Sequence, residues 1–109
     1  SSMAAFEGQI GHAAYSASKA GVVGLTLPMA RDLAIDGIRV MTIAPGMFST
    51  PMASDIKEKH KRTILENQAF PKRLGKTNEF ASLVLQCIDN PMLNGETIRL
   101  DAGCRMPPR

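Results

Sequence analysis

The long stretch from Ala13 to Ile35 limits what this chain can fold into, because it is rich in small and aliphatic residues and nearly free of charge. Its only charged residues are Lys19, Arg31 and Asp32. The stretch is long enough for about six helical turns, and Asp36-Gly37 supplies a stop signal. We therefore predict a helix that is buried over most of its circumference and is kinked or interrupted at Pro28. A membrane span is excluded, since only eleven residues separate Lys19 from Arg31 and a bilayer requires about 20 apolar residues.

Two short segments have the composition of strands. The segment from Ile38 to Ala44 is apolar and β-branched and ends at Pro45-Gly46, which predicts a strand buried on both faces of a parallel sheet. The segment from Glu96 to Leu100 alternates in polarity and follows the turn residues Asn94-Gly95, which predicts a final strand. A helix between strands of this kind indicates an α/β fold with a parallel sheet.

The sequence between the two predicted strands has an irregular part and a regular part. The segment from Met47 to Lys76 contains recurrent prolines and a dense run of charges, which predicts a mobile segment with one or two short helices. Beyond it, Asn78 can cap another helix. The apolar residues of that helix recur at helical spacing and form one stripe: Phe80, Leu83, Val84, Cys87 and Ile88.

Composition excludes several classes of protein. The 109 residues, 44% hydrophobic and 21% charged, suit one globular domain rather than two domains, a coiled coil or a disordered tail. Few aromatic residues and a net charge of +3 with both signs interspersed argue against nucleic-acid binding. The charged run from Lys57 to Arg62 is more simply a solvated face. Cys87 and Cys104 fit neither a metal site nor a disulfide framework, which indicates a reducing compartment.

One constellation of polar residues points to chemistry. Tyr15 is the only tyrosine, and Lys19 follows four residues later, so both project from one face of the predicted helix. A free phenol ionises near pH ~10, and a neighbouring cation favours its anion, which suits it to acid/base catalysis. Ser2 lies upstream, where its hydroxyl can polarise a carbonyl. The pair alone could be a surface contact, but Ser2 and the strand end at Pro45-Gly46, where open α/β sheets bind ligands, favour a catalytic site.

These residues resemble the motifs of a known family. Ser2, the YSASK run ending at Lys19, the APG run ending at Gly46 and the LDAG run ending at Gly103 are similar to the C-terminal half of the short-chain dehydrogenase/reductase family. The resemblance covers essentially the whole chain. It implies the C-terminal part of a Rossmann-like doubly wound parallel sheet in three αβα layers. Residues 1–109 would be the catalytic and substrate-binding portion of one domain.

The resemblance also implies roles for individual residues. The catalytic residues would be Ser2, which holds the substrate oxygen, Tyr15, the general acid/base, and Lys19, which binds the nicotinamide ribose and favours the tyrosinate. The implied cofactor-binding residues are Tyr15, Lys19, Pro45, Gly46, Phe48 and Thr50. The expected substrate-binding residues are Ser2, Gln9, Met47 and Met52. The last two belong to a substrate loop at about residues 47–76, and no metal is expected.

The implied activity is that of an NAD-dependent oxidoreductase of lipid metabolism. It would interconvert a secondary alcohol and a ketone on a 3-hydroxyacyl-CoA, a steroid or a similar apolar substrate, in mitochondria or, alternatively, in the cytoplasm. The family's glycine-rich phosphate loop has no counterpart in this sequence. We therefore expect that the first, nucleotide-binding half is absent from this chain, that the isolated chain is inactive, and that a separate chain can carry that half.

A second interpretation is a non-catalytic fragment or an assembly or scaffold subunit of a larger complex. Under both interpretations the apolar stretch from Ala13 to Ile35 has too little polar surface to face water on any broad side. It therefore predicts a homo-oligomer, a dimer or a tetramer. No membrane partner and no nucleic-acid partner are expected.

Overall fold

Two parallel strands and the long first helix, which packs on the first strand, form the centre of the fold. The computed structural model describes all residues from Ser1 to Arg109. The elements in chain order are α1 (Ala13–Asp32), β1 (Thr42–Pro45), α2 (Pro51–Ser54), α3 (Glu58–Glu66), α4 (Thr77–Asp89) and β2 (Thr97–Leu100). Short 3-10 turns lie at Met3–Ala5 and at Leu33–Asp36. None of the helices is both long enough and apolar enough to cross a bilayer.

The strands pair in a single register that aligns their carboxyl ends. Thr42 lies opposite Thr97 and Pro45 lies opposite Leu100. The Thr42 amide donates to the carbonyl of Glu96 (3.0 Å). Because α4 lies in the crossover from β1 to β2, the parallel arrangement confirms the predicted α/β class.

A buried pair of hydroxyl groups joins α1 to β1. The Thr26 hydroxyl donates to the carbonyl of Val22 (2.9 Å) and lies 2.6 Å from the Thr42 hydroxyl. Because the hydroxyl proton of Thr26 is used in the bond to the Val22 carbonyl, the hydroxyl of Thr42 donates to the hydroxyl oxygen of Thr26. Both residues are buried, so each hydroxyl would be costly to desolvate without this arrangement.

Helix α1 differs from its prediction in detail. It continues through Pro28, so the predicted interruption does not occur. A proline in a helix removes one N–H donor, and in α1 the remaining hydrogen bonds and the packing on β1 maintain the helix. The helix ends at Asp32, a 3-10 turn extends it to Asp36, and Gly37 follows with φ 69°. The left-handed stop predicted at Gly37 is therefore confirmed.

The predictions of burial are wrong for this chain. Only Thr26 and Ala30 of α1 are buried, and β1 is shorter than predicted and alternates buried Thr42 and Ala44 with half-buried Ile43 and Pro45. The accessible surface is 7137 Å², whereas a compact monomer of this mass exposes roughly 5,900 Å². The faces that the composition marks as buried lie against nothing within this chain.

Both ends of α4 are fixed by side chains. The helix begins at Thr77, one residue before the predicted cap, and Glu79 accepts from the Lys76 amide (2.7 Å), so the predicted cap at Asn78 is wrong. At the other end the guanidinium of Arg39 donates to four carbonyl oxygens at 2.7–3.2 Å, those of Cys87, Ile88, Asn90 and Leu93. A cation there satisfies carbonyls that the helix leaves unpaired.

The apolar stripe of α4 borders an open groove of about 660 Å³. Met41 and Ile43 of the β1 region line the opposite side. On the edge of β1 that faces away from β2, the amino group of Ser1 donates to the carbonyl of Ile43 (3.0 Å), the second residue of the strand. The groove therefore adjoins a strand edge with free hydrogen-bonding groups.

The segment between β1 and α4 contains the short helices α2 and α3, which confirms the predicted one or two helices. Its two ends are joined, since Ser49 donates to the carbonyl of Gly75 (2.8 Å) and Gly75 donates to that of Met47 (3.0 Å). The segment thus leaves and returns at the same place, beside the carboxyl end of β1.

Replacing Arg39 with Ala should lower the free energy of unfolding by about 1–3 kcal/mol, because charged hydrogen bonds to the carbonyls at the end of α4 are lost. Urea unfolding measures the change. Arg39→Lys is the matched control and should recover part of the loss, since an ammonium cannot reach all four oxygens at once. An Arg39→Ala variant as stable as the wild type would contradict this role.

Candidate active site

A pocket of about 290 Å³ lies at the carboxyl end of β1, between the loop after Ser2, the start of α1 and the helices α2 and α3. Ten of its 17 lining residues are hydrophobic, so it suits a largely apolar ligand. Eight of the ten site residues expected from the sequence line it, and only Lys19 and Pro45 do not: the eight are Ser2, Gln9, Tyr15, Gly46, Met47, Phe48, Thr50 and Met52. Residues separated by up to 50 positions therefore share one cavity.

Tyr15 and Lys19 are neighbours on the first turns of α1. The Lys19 ammonium nitrogen lies 5.5 Å from the centroid of the Tyr15 ring, as the spacing of four residues predicts. About half of the Tyr15 side chain is exposed, so a ligand in the pocket can reach its hydroxyl. His12, one turn earlier, packs edge-on against the Tyr15 ring at 6.2 Å between centroids.

Ser2 has a fixed backbone and a free proton. Its hydroxyl oxygen accepts from the amide of Ala4 (3.1 Å) at the start of the 3-10 turn. A hydroxyl that accepts one hydrogen bond still has its own proton to donate. The preceding residue is held on both sides, since the Ser1 hydroxyl donates to the carbonyl of Lys19 (2.8 Å) and its amino group donates to Ile43. Ser2 is therefore set between α1 and β1 and can donate to a ligand oxygen.

The turn after β1 depends on a close approach to β2. Gly46 donates to the carbonyl of Leu100 (2.9 Å), and a Cβ at position 46 would meet the Cα and Cβ of Asp101 at 3.0 Å. Only glycine fits there without a shift of the backbone. This contact fixes the direction in which the chain enters the pocket.

A second cavity of about 370 Å³ adjoins the first. It is lined by four of the residues that the resemblance assigns to the cofactor, Pro45, Gly46, Phe48 and Thr50, together with Thr77 and Phe80. Gly46, Phe48 and Thr50 line both cavities, so the two are continuous. Phe48 is held edge-to-face against Phe80 (5.7 Å between centroids), and the Thr50 hydroxyl caps α2 at the amide of Ala53 (3.3 Å).

These residues fit one end of a nicotinamide nucleotide. The second cavity offers an apolar slot for a flat ring, and the Lys19 ammonium and Tyr15 hydroxyl can bond the hydroxyls of a ribose beside it. The other end of such a nucleotide needs a glycine-rich loop before a helix, and this sequence contains no such loop. The chain holds no group of His, Cys, Asp and Glu side chains arranged for a metal ion.

Among the lining residues that sequence patterns miss are Glu7 and Met106, which are 99 positions apart. The Met106 amide donates to Glu7 Oε2 (2.8 Å), and Arg99 Nη1 donates to Glu7 Oε1 (2.8 Å). Arg99 also bonds Asp101 (2.7 Å), and Arg105 lies 3.3 Å from Glu7. No sequence pattern near either residue predicts a contact over this separation. The only indication in the sequence is that Glu7 is the one charged residue of its loop, which suggests a partner elsewhere in the chain.

The surroundings of Glu7 favour its charged form. Burial by itself raises the pKa of Glu7, but the hydrogen bonds from Arg99 and Met106 and the charges of Arg99 and Arg105 outweigh it, so the pKa lies below its ordinary value of 4.5. Burial lowers the pKa of Arg99, but its bonds to Glu7 and Asp101 outweigh this and raise it. Both groups therefore remain ionised at neutral pH.

The lowered pKa of Glu7 predicts a pH-dependent stability. The contribution of this carboxylate is fully present above 4.5 and is lost as the pH falls through the lower pKa of the folded state. The free energy of unfolding should therefore drop more steeply between about pH 5 and about pH 3 in the wild type than in Glu7→Gln. Urea unfolding across this range measures it, and parallel curves for the two proteins would contradict it.

Comparisons with known proteins show which family the chain is similar to. Residues 1–105 match a family model described as enoyl-(acyl carrier protein) reductase. The chain is 60% identical over 107 residues to 3-hydroxyacyl-CoA dehydrogenase type-2 of Homo sapiens, covering 98% of this chain and 41% of that protein. The same enzyme of Drosophila melanogaster is 57% identical, with 98% and 42% covered.

Solved structures show the same similarity. The crystal structure of 3-hydroxyacyl-CoA dehydrogenase type-2 from Mycobacterium avium superposes with a TM-score of 0.93 at 48% identity, covering 100% of this chain and 42% of that one. A 4-hydroxyisoleucine dehydrogenase complexed with NADH superposes with a TM-score of 0.82 at 26% identity, covering 94% and 44%. The chain thus spans about two fifths of the length of the relatives that it matches.

Proposed function

Because this chain belongs to the short-chain dehydrogenase/reductase family, a family of oxidoreductases, we propose that it is the catalytic and substrate-binding part of an NAD-dependent enzyme that interconverts a secondary alcohol and a ketone. One observation carries the proposal. Tyr15, with Lys19 over its ring, faces the same apolar pocket as Ser2, and a slot suited to a nicotinamide ring adjoins that pocket.

Each residue has a chemical task in this proposal. In the oxidation, Tyr15 takes the proton from the alcohol oxygen; in the reduction, it returns a proton to the carbonyl oxygen. Ser2 donates a hydrogen bond to that same oxygen and holds it near the phenol. Lys19, whose ammonium nitrogen lies 5.5 Å from the centroid of the Tyr15 ring, would bind the nicotinamide ribose. NAD, when bound, supplies the acceptor or donor of the hydride.

The proposed substrate is a 3-hydroxyacyl-CoA, with a steroid or a similar apolar alcohol as the alternative. The apolar lining with Met47 and Met52 suits a hydrocarbon chain. Relatives up to 60% identical are named 3-hydroxyacyl-CoA dehydrogenases, which supports the acyl-CoA over the steroid. Methionine side chains are flexible enough to fit acyl chains of more than one length. The segment 47–76 would be the substrate loop.

We further propose that a nucleotide-binding half, on another segment or a separate chain, packs along the free edge of β1 and in the groove beside α4. The open strand edge, the apolar stripe of α4 and the excess of exposed surface support this. The isolated 109-residue chain would then be inactive.

The exposed apolar residues of α1, Leu25, Leu27 and Met29, support a homo-oligomer, a dimer or a tetramer. The mitochondrion is the proposed location and the cytoplasm the alternative, which fractionation of cells would decide.

The second candidate function is a non-catalytic assembly or scaffold role, and the same exposed apolar surface favours it. The two functions differ in one requirement. Catalysis needs the Tyr15 hydroxyl, whereas assembly through α1 and α4 does not. A single substitution can therefore separate them.

Replacing Tyr15 with Phe should lower kcat/KM by about 10²–10⁴-fold, because the group that transfers the proton is lost. The measurement is the absorbance of NADH with a short 3-ketoacyl-CoA, made on the protein together with its nucleotide-binding half. NADH binding, followed by fluorescence, should weaken by no more than the loss of one hydrogen bond to the ribose. The oligomeric state should not change, since the ring and its packing remain.

The matched control is Ser18→Ala. Ser18 is exposed on the same turn and its hydroxyl donates to the carbonyl of Tyr15 (2.7 Å), but it does not line the pocket. This variant should keep nearly the full rate. Wild-type turnover in Tyr15→Phe would overturn the proposed mechanism, and a wild-type protein that assembles without turnover would favour the scaffold function.

The proposed association predicts a large particle in solution. Size-exclusion chromatography with light scattering should give a mass well above 11.7 kDa, because a monomer would leave the apolar faces of α1 and α4 in water. A folded species that elutes at 11.7 kDa would contradict the association.

A further inference from the structure

The segment Cys104–Pro108, here termed the closing strap, crosses back over the loop that follows Ser2. Besides the Met106 bond to Glu7, the Gln9 side-chain amide donates to the carbonyl of Pro107 (3.2 Å), and the Ile10 amide donates to that of Pro108 (2.9 Å). Three consecutive strap residues, Met106, Pro107 and Pro108, thus each bond one residue of the same short loop, and these three bonds fix the position of the strap along it.

The strap is also fixed from its other side. The Arg105 amide donates to the carbonyl of Asn67 just after α3 (3.2 Å). Cys104 is fully buried, with its sulfur 3.6 Å from the sulfur of Met106. The strap therefore joins the loop that carries Ser2 and Gln9 to the part of the substrate loop that follows α3.

Glu7 is the centre of this arrangement. One oxygen accepts from Arg99 and the other from the Met106 amide. Arg99 in turn bonds Asp101 and donates to the carbonyl of Cys104 (2.9 Å). Arg105 lies near both carboxylates, those of Glu7 and Asp101. The cluster therefore contains two carboxylates and two guanidiniums, and their charges balance. The Glu7 side chain is 18% exposed and that of Asp101 only 5%, and such partly buried, charge-assisted bonds are stronger and more directional than surface pairs.

Met106 lines the same pocket as Ser2 and Tyr15. Its backbone position is set by the bond to Glu7, and its side chain is confined by Cys104. This side chain occupies part of the space that the pocket offers to an apolar ligand, and the Cys104 sulfur at 3.6 Å limits how far it can move aside.

We propose that the closing strap sets the length of acyl chain that the pocket accepts, with Met106 as the specificity-determining wall and Glu7 as the positioning residue that holds it. This inference rests on the proposed function for the class of ligand. The geometry of the strap itself does not depend on turnover, so the two can be tested separately.

The first test is hydrogen exchange, made on the protein with its nucleotide-binding half. The Met106 and Ile10 amides should be protected in the wild type. Glu7→Ala should increase exchange at Met106 at least tenfold, whereas Glu7→Gln, which keeps an acceptor oxygen, should increase it less. Glu66→Gln, at an exposed carboxylate outside the pocket, is the matched control and should change nothing. Unchanged exchange at Met106 in Glu7→Ala would overturn the role of Glu7.

The second test is ligand discrimination, measured by calorimetry so that it does not require turnover. The ratio of Kd values for a four-carbon and a ten-carbon 3-hydroxyacyl-CoA should shift about tenfold toward the longer chain in Met106→Ala, since removing methylene-sized groups from an apolar wall has effects of this size. Met106→Leu, of similar volume, should keep the wild-type ratio, and Glu7→Ala should shift it in the same direction as Met106→Ala.

The two proposals fail in different ways. An unchanged ratio in Met106→Ala would overturn the strap as a determinant of chain length, even if the enzyme is active. Loss of binding for both acyl-CoAs in the wild type would overturn the inference together with the substrate class of the proposed function. Binding and a shifted ratio without any turnover would support the strap and overturn only the catalytic proposal.

Discussion

The carboxyl ends of two parallel strands meet at one point, and the site depends on this meeting. Gly46 bonds the carbonyl of Leu100 and lies against the backbone of Asp101. The residues after β1 then enter the pocket, and those after β2 turn back toward it. Because both strands run in the same direction, side chains from sequence positions near 48 and near 106 reach the same cavity. A slip in the register of β1 against β2 would separate them.

Most of the fold could be predicted from local patterns. The α/β class, the helix after Ala13, its left-handed stop at Gly37 and the helical insert before α4 each follow from composition, spacing or a single glycine. The spacing of Tyr15 and Lys19 also predicted their contact, because four residues on a helix bring two side chains together. Ser2, Gln9, Met47 and Met52 lie with Tyr15 as expected, although their roles remain proposals.

Burial and long-range contacts could not be predicted in this way. The composition of α1 and β1 describes a helix and a strand that are covered on all sides, yet within this chain only one face of each is covered. Composition reports the surroundings in which a segment is stable and does not say which chain supplies them. The contact of Glu7 with Met106 joins positions with no shared periodicity, so only the three-dimensional path of the chain reveals it. The cap of α4 shows a smaller limit, since the predicted cap Asn78 and the observed cap Lys76 are two residues apart, within the usual uncertainty in helix ends.

The free edge of β1 has a consequence for biosynthesis. A strand edge with unpaired backbone groups beside an apolar groove is a template that any extended segment can join. Under the proposal that a nucleotide-binding half supplies the strand that pairs with this edge, the edge is open to other copies of the chain until that pairing occurs, so folding would compete with aggregation at a rate that rises with concentration. Cells that make this protein would therefore benefit when that strand is already close at hand as β1 forms. Low expression temperature and co-production of the neighbour are the corresponding measures in the laboratory.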